Sequence, residues 1–237
     1  MYEVGRAGAF VSRQMWRHRT VGSLYAAAAA ALAVAAAGCF LGLLVFDASV
    51  PRVLAAVAGV AALAGCGYAW IRATRVLRQA RRSAVGARSE REVRAAVRRT
   101  GSIAAAYGLV LGNRGGDCDT VVFTRGGGAA AIEVKTGHGQ VSADNGTMRV
   151  GARVLHGDPV RQAANQARRL SRKMGGKRVL AVVCVPGMRN RPFTAANGVW
   201  VCSAQDLKGV LDRAPRVFGA AEEAQETMRN LWEASPA

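Results

Sequence analysis

Acidic residues are scarce: fifteen Asp and Glu stand against thirty-three Lys and Arg in 237 residues, a formal charge of +18 that excludes an acidic protein. Lysine is scarcer still, with only Lys135, Lys173, Lys177 and Lys208, so twenty-nine of the bases are Arg. Together with the surplus of Ala, Gly and Val, this Arg preference has the look of GC-rich coding, and the raw charge is weak evidence for a nucleic-acid partner. Disorder is excluded as well, because 51% of the chain is apolar. Cysteine is sparse and unpatterned: Cys39, Cys66, Cys118, Cys184 and Cys202 form no C-x-x-C, and two lie in apolar runs. That rules against a disulfide framework or a zinc knuckle and predicts a reducing compartment.

Charge is absent altogether from two long segments. Val21 to Phe46 gives 26 uncharged residues, about 39 Å of helix against a hydrocarbon core of about 30 Å. Val53 to Ile71 gives another 19, close to the roughly 20 a crossing needs. Pro51 lies in the short connection, so the pair predicts a hairpin. A signal peptide fits poorly, because its apolar region would be shorter and would not be followed by a second span. Arg6, Arg13, Arg17 and Arg19 precede the first run, Arg72, Arg75, Arg78, Arg81 and Arg82 follow the second, and the loop holds only Asp47 and Arg52. By the positive-inside rule both ends are expected in the cytoplasm, with the protein multi-pass in a cell inner membrane. Small residues such as Gly59 suit close packing of the two helices. No charge within either span points to transport.

The expected organisation is a basic N-terminus (1–20), a transmembrane hairpin (21–72), a basic juxtamembrane linker suited to anionic lipid (73–85), a globular domain (86–213), and a C-terminal helix and tail (214–237). Ser89 to Arg99 reads as a helix capped by Ser89, with Glu90 and Glu92 in its first turn. Tyr107 to Leu111 reads as a strand, followed by a glycine-rich turn over Gly112 to Gly116. Cys118 to Thr124 and Ala129 to Lys135 read as a hairpin through Gly126-Gly127-Gly128. Pro159 to Met174 reads as a helix with Asp158 as N-cap, stopping at Gly175-Gly176. Val179 to Val185 is a continuous apolar run of the kind that forms a strand covered on both faces. Val199 to Cys202 reads as a further strand, and Gln205 to Arg213 and Ala220 to Trp232 as closing helices. The fold class expected is α/β, with a core order of helix, three strands, helix, strand, after two transmembrane helices.

One stretch carries chemistry. On a strand alternate side chains share a face, so Glu133 and Lys135 point the same way. A hairpin centred on Gly127 sets Lys135 opposite Asp119 and Glu133 opposite Val121, leaving Asp119 and Glu133 as diagonal neighbours on one face. Two acids and an amine in a run that otherwise reads AAAIEV are expensive without a ligand. The chemistry they suit is metal-assisted phosphodiester hydrolysis: Asp119 and Glu133 for Mg²⁺ or Mn²⁺, Lys135 to orient a water and neutralise phosphate, Glu90 to hold a water or second ion. Gln162 and Gln166, one helical turn apart, share a face from which they can bond the metal ligands or the substrate. His138 reads as a surface histidine, and Cys118, Cys184 and Cys202 as small buried residues.

The spacing D-x13-E-x-K at Asp119, Glu133 and Lys135 resembles the signature of the PD-(D/E)xK nucleases, whose restriction-endonuclease-like core has the element order read above. More narrowly, GARSE, RGGDCDTVVFTRGGGAAAIEVKTGHGQV and DPVRQAANQARRL are similar to the nuclease-related domain, NERD, over Gly86 to about Arg213. The resemblance implies catalytic positions for Asp119, Glu133 and Lys135, the helical acid at Glu90 and the family glutamine at Gln162. It also implies metal ligation by Asp119, Glu133 and Glu90. Ser89 stands where the family commonly has glycine, and Asp117-Cys118 replaces Asn-Ile. The function expected is a membrane-tethered, Mg²⁺-dependent nuclease acting on nucleic acid, DNA favoured. The alternative is a non-catalytic nucleic-acid- or protein-binding module on the same fold.

Overall fold

The computed structural model describes residues 1–5, 9–45, 49–111, 117–144 and 147–235. The chain forms two compact units, one of Val11–Ala84 and one of Met1–Phe10 with Val85–Ala237. The expected turn over Gly112 to Gly116 and the end of the first apolar run at Phe46 lie outside the described residues.

The elements run in chain order as strand β1 (Tyr2–Gly5), helices α1 (Ala9–Val45) and α2 (Ser49–Arg99), then strands β2 (Ala104–Val110), β3 (Asp117–Phe123), β4 (Ala129–Val134), β5 (His138–Gly139), β6 (Val141–Asp144), β7 (Thr147–Val150) and β8 (Arg153–Val154). Helix α3 (Pro159–Lys173), strands β9 (Leu180–Cys184), β10 (Gly187–Met188), β11 (Phe193–Thr194) and β12 (Trp200–Cys202), and helices α4 (Leu207–Leu211) and α5 (Ala221–Glu233) complete it.

In the unit of Val11–Ala84 the two helices pack through small residues. Ala29 and Ala36 on α1, and Ala73 and Ala80 on α2, are buried and stand seven residues apart. A side chain at Gly22 would collide with Leu77, and one at Gly59 would press on Phe40 at 3.3 Å. The large apolar residues point the other way: Leu24, Val34, Leu44, Val57 and Val60 are exposed. Both helices are long and apolar enough to cross a membrane, and only 11% and 17% of their most apolar windows are buried, whereas a core helix of a soluble protein would be covered.

Residues 73–85, expected as a linker, are helical within α2, so Ser89 begins no helix. The stretch from Arg72 to Arg99 lacks proline and is rich in Ala and Arg, good helix formers, so nothing stops the helix there. Its last turns bury Val93, Ala96 and Val97.

The second unit is built on a seven-stranded mixed sheet in the order β1-β2-β3-β4-β9-β12-β11. β2, β3 and β4 run antiparallel, and β4, β9 and β12 run parallel. One face is covered by α3 and α5 through Ala163, Ala167, Leu170, Ala224 and Met228. The other is covered by the end of α2 and by α4 through Val93, Val97, Leu207, Val210 and Leu211. β4 and β9 lie between these layers, which explains why they are apolar apart from Glu133. The expected helix-three strands-helix-strand order is present, within a larger sheet. Asp158 caps α3, accepting the Arg161 N–H at 2.9 Å, with Pro159 in the first turn.

The edge strand β1 was not expected. It precedes α1 in the chain yet pairs parallel with β2, Tyr2 opposite Ala104 and Gly5 opposite Tyr107. Glu3 secures it, accepting hydrogen bonds from Arg94 at 2.8 Å and from Arg98 at 2.7 and 2.9 Å. Those guanidiniums, Arg98 foremost, hold the Glu3 carboxyl down at about 2.

The β3–β4 register differs from expectation by two residues. Thr120 pairs with Ile132 and Val121 with Ala131, so the hairpin centres on Gly126 and the next positions along are Asp119 and Glu133, directly opposed. The turn explains the shift: Thr124 N–H donates to the Gly128 carbonyl at 2.8 Å, making Gly128 a paired residue and leaving a loop of Arg125-Gly126-Gly127. Gly127 has φ +77, and a Cβ there would lie 2.5 Å from the Phe218 carbonyl oxygen, so only glycine fits. A two-residue slip preserves sidedness, so Asp119 and Glu133 remain on one face.

Candidate active site

Glu133 is the focus of the site. It lies in β4 among Ala129, Ala130, Ala131 and Ile132, and only 2% of its surface is exposed. A carboxylate so placed needs partners for both oxygens. Lys135, two residues on and on the same face, donates from Nζ to Oε1 at 2.6 Å. Gln166, reaching from α3, donates from Nε2 to Oε2 at 2.7 Å and to the Asp117 carbonyl at 3.0 Å. Gln162, one turn earlier, accepts from Lys135 Nζ through Oε1 at 3.2 Å. The two glutamines thus divide the work, Gln166 holding the acid and Gln162 the amine.

Asp119 faces Glu133 across the hairpin and accepts the Val134 N–H on Oδ2 at 2.7 Å. Burial, then the neighbouring Glu133 charge, push its carboxyl up to about 8; the Val134 N–H and Lys135 oppose the rise only in part, and Glu90 adds to it. Glu90, half-buried on α2, therefore lies within electrostatic reach of Asp119. Asp117, the other acid of the DCD triplet, is exposed, and its carbonyl rather than its carboxylate enters the network. Cys118 is fully buried, and burial together with the nearby Asp119 and Glu133 charges pushes its thiol up, so it is no nucleophile.

Asp119, Glu133, Lys135, Gln162 and Glu90 are thus gathered at one end of β3, β4, α2 and α3. They do not form a closed cage. Among the described residues no group of three His, Cys, Asp or Glu side chains is placed to hold a metal ion, so Asp119, Glu133 and Glu90 do not make a ready three-carboxylate site. The donors nonetheless fit one hard cation that keeps most of its waters. Two carboxylates stand side by side, burial and the neighbouring Glu133 charge pushing Asp119 up to about 8, and Gln166 Oε1 is a buried acceptor with no partner.

Beside Lys135 and Gln162 a cavity of about 310 Å³ opens on α3, lined by Asp158, Arg161, Gln162, Asn165, Gln166 and Arg169. Every lining side chain is polar or charged, and none is aromatic. A larger cavity of about 670 Å³ elsewhere on α3 contains no acid, His or Cys.

Gln166 is the residue whose direct grip on Glu133 the sequence left undivided from that of Gln162; the four-residue spacing was its signal. Missed outright was the segment Gly187 to Asn190, which is stitched to the chain just beyond Lys135 from about fifty residues away.

Residues 85–188 match the family model described as NERD, nuclease-related domain. No curated protein and no solved structure matches the chain.

Proposed function

We propose, from the premise that residues 85–188 are a nuclease-related domain of the NERD family, that this protein is a membrane-tethered nuclease hydrolysing phosphodiester bonds, with DNA as its substrate class. The observation that carries the reading is the pair of opposed acids, buried Glu133 and half-buried Asp119, with an amine held beside them. Asp119 and Glu133 would hold a Mg²⁺ or Mn²⁺ ion, with Glu90 bonding one of its waters. The ion, when bound, supplies Lewis acidity toward the phosphate.

The remaining work falls to the chain's own groups. The Lys135 ammonium, held by Glu133 and Gln162, offsets charge growing on the phosphate and orients the attacking water. Gln166 fixes the Glu133 carboxylate plane. Arg161 and Arg169, lining the adjacent cavity, receive the flanking backbone. With no aromatic platform in that lining, the strand is gripped by its phosphates rather than by stacked bases.

The tether rests on the exposed apolar surfaces of α1 and α2. The pairing of β1, before α1, with β2, after α2, supports a hairpin whose two ends lie on one side of the bilayer. The Arg residues flanking the spans favour the cytoplasm as that side.

A second reading has its own support. The lack of a three-acid group among the described residues, and the full engagement of Glu133 by Lys135 and Gln166, favour a module that binds nucleic acid without cutting it. One experiment separates the two. The full chain in detergent is incubated with plasmid and oligonucleotides in Mg²⁺, Mn²⁺ or chelator, beside Glu133→Ala and Lys135→Ala. Metal-dependent cleavage lost in both variants supports the nuclease; binding with no cleavage by the parent supports the module.

A further inference from the structure

Three residues past Lys135 the chain enters a small construction that the proposed chemistry does not use. His138 and Gly139 form β5, which pairs parallel with β10, Gly187 opposite His138 and Met188 opposite Gly139. The strands meet so closely that a Cβ on Gly187 would lie 2.5 Å from the Gly137 carbonyl oxygen. Two further fastenings hold the contact: Arg189 N–H donates to the Gly139 carbonyl at 2.9 Å, and Asn190 takes both backbone groups of Val141, accepting from its N–H at 2.7 Å and donating to its carbonyl at 3.0 Å. The buried side chains of Val141, Val150 and Met188 anchor it from beneath.

This scaffold presents one charged group. Arg189 is exposed, and its Nη2 and Nε lie 2.8 and 3.2 Å from His138 Nε2. Its partner is an imidazole and not a carboxylate, so the guanidinium is aimed without being neutralised. The remaining guanidinium N–H groups are free to turn to solvent, in a fork that suits phosphate. Three residues of extended chain reach at most about 10 Å, so the backbone at His138 lies within a few nucleotides' spacing of Lys135.

We propose that Arg189, aimed by His138, is a second phosphate-binding site that grips the nucleic-acid backbone beside the bond to be cut. The inference rests on the nucleic-acid reading of the neighbouring site and adds to it the group that sets the strand's register.

The test uses the full chain in detergent, chelator to prevent cleavage, and a fluorescein-labelled 20-base-pair DNA duplex followed by anisotropy at several salt concentrations. Losing one phosphate contact lowers the slope of log affinity against log salt by about 0.9. Arg189→Ala should show that drop with affinity weakened about fivefold, at the parent's unfolding temperature. Arg189→Gln, which keeps a donor for His138 but no charge, should show the same slope. His138→Ala should weaken binding with the slope unchanged, because the charge remains but is no longer aimed. Parental affinity and slope in both Arg189 variants would overturn this site alone. A parent chain that binds no duplex at any salt concentration would overturn the nucleic-acid reading and this inference with it.

Discussion

Replacing Asp119 with Asn tests the electrostatics on which the site is built. Its carboxyl, ordinarily near 3.8, is pushed up to about 8 by burial and by Glu133. The folded protein therefore holds this proton across a range where the unfolded chain has released it, and folding stability falls as pH rises from about 4 to about 8. Four pK units at about 1.4 kcal/mol each set a ceiling near 5 to 6 kcal/mol. Sharing of the titration with Glu133 and partial screening bring the expected cost to about 1 to 3 kcal/mol at pH 8. Asn keeps an acceptor for the Val134 N–H and cannot ionise, so Asp119→Asn should unfold at a higher temperature than the parent at pH 8 in chelator, and at nearly the same temperature at pH 5. Adding 10 mM Mg²⁺ should narrow the gap. An affinity of about 1 mM would stabilise the parent by about 1.4 kcal/mol, or 2 to 4 °C, and leave the Asn variant unmoved. Scanning fluorimetry of the full chain in detergent reads both effects. A parent whose unfolding temperature is flat from pH 5 to 8.5 and indifferent to Mg²⁺, or an Asn variant less stable at pH 8, would refute the reasoning.

Gln166→Leu strips Glu133 Oε2 and the Asp117 carbonyl of their donor and should destabilise the domain by about 1 to 3 kcal/mol while lowering cleavage, measured by thermal unfolding and plasmid nicking. Glu3, held at about 2 by Arg98 and Arg94, contributes stability that is present above the unfolded carboxylate range near 4.5 and lost as pH falls toward 2; Glu3→Gln should flatten acid unfolding in that window, read by circular dichroism. Single cysteines placed at Tyr2 and at Glu226 should react with a membrane-impermeant thiol reagent from the same face of sealed vesicles, and labelling from opposite faces would dismiss the two-span hairpin. Gly187→Ala, whose Cβ meets the Gly137 carbonyl oxygen, should loosen β5 from β10 and raise hydrogen exchange over residues 138–141.

The helices, the central strands and the site residues were legible because each is encoded locally. Asp158-Pro159 marks the start of α3, the Val179 to Val185 run betrays β9, and E-x-K puts two functional groups on one strand face. The hairpin register escaped because three consecutive glycines do not say which of them is already paired; the Val217 and Phe218 N–H groups that bind the Gly127 carbonyl decide it from ninety residues away. β1 escaped for the same reason: a tetrapeptide, Tyr2 to Gly5, becomes a strand only because Arg94, Arg98 and the edge of β2 are there to receive it. The helix running unbroken from Ser49 through Ser89 shows the reverse case, in which a plausible cap is ignored because no residue before it breaks the helix.

The edge strand at the beginning of the chain imposes an order on biogenesis. Tyr2 to Gly5 leave the ribosome first, but their partners, Ala104 to Tyr107, follow about a hundred residues later, after both apolar helices have been made. The globular part therefore lacks this pairing through that interval, and its β1 edge closes by bringing distant segments together. An affinity tag or reporter fused ahead of Tyr2 would sit at that seam and compete with its closure, whereas one fused after α5 would leave it alone.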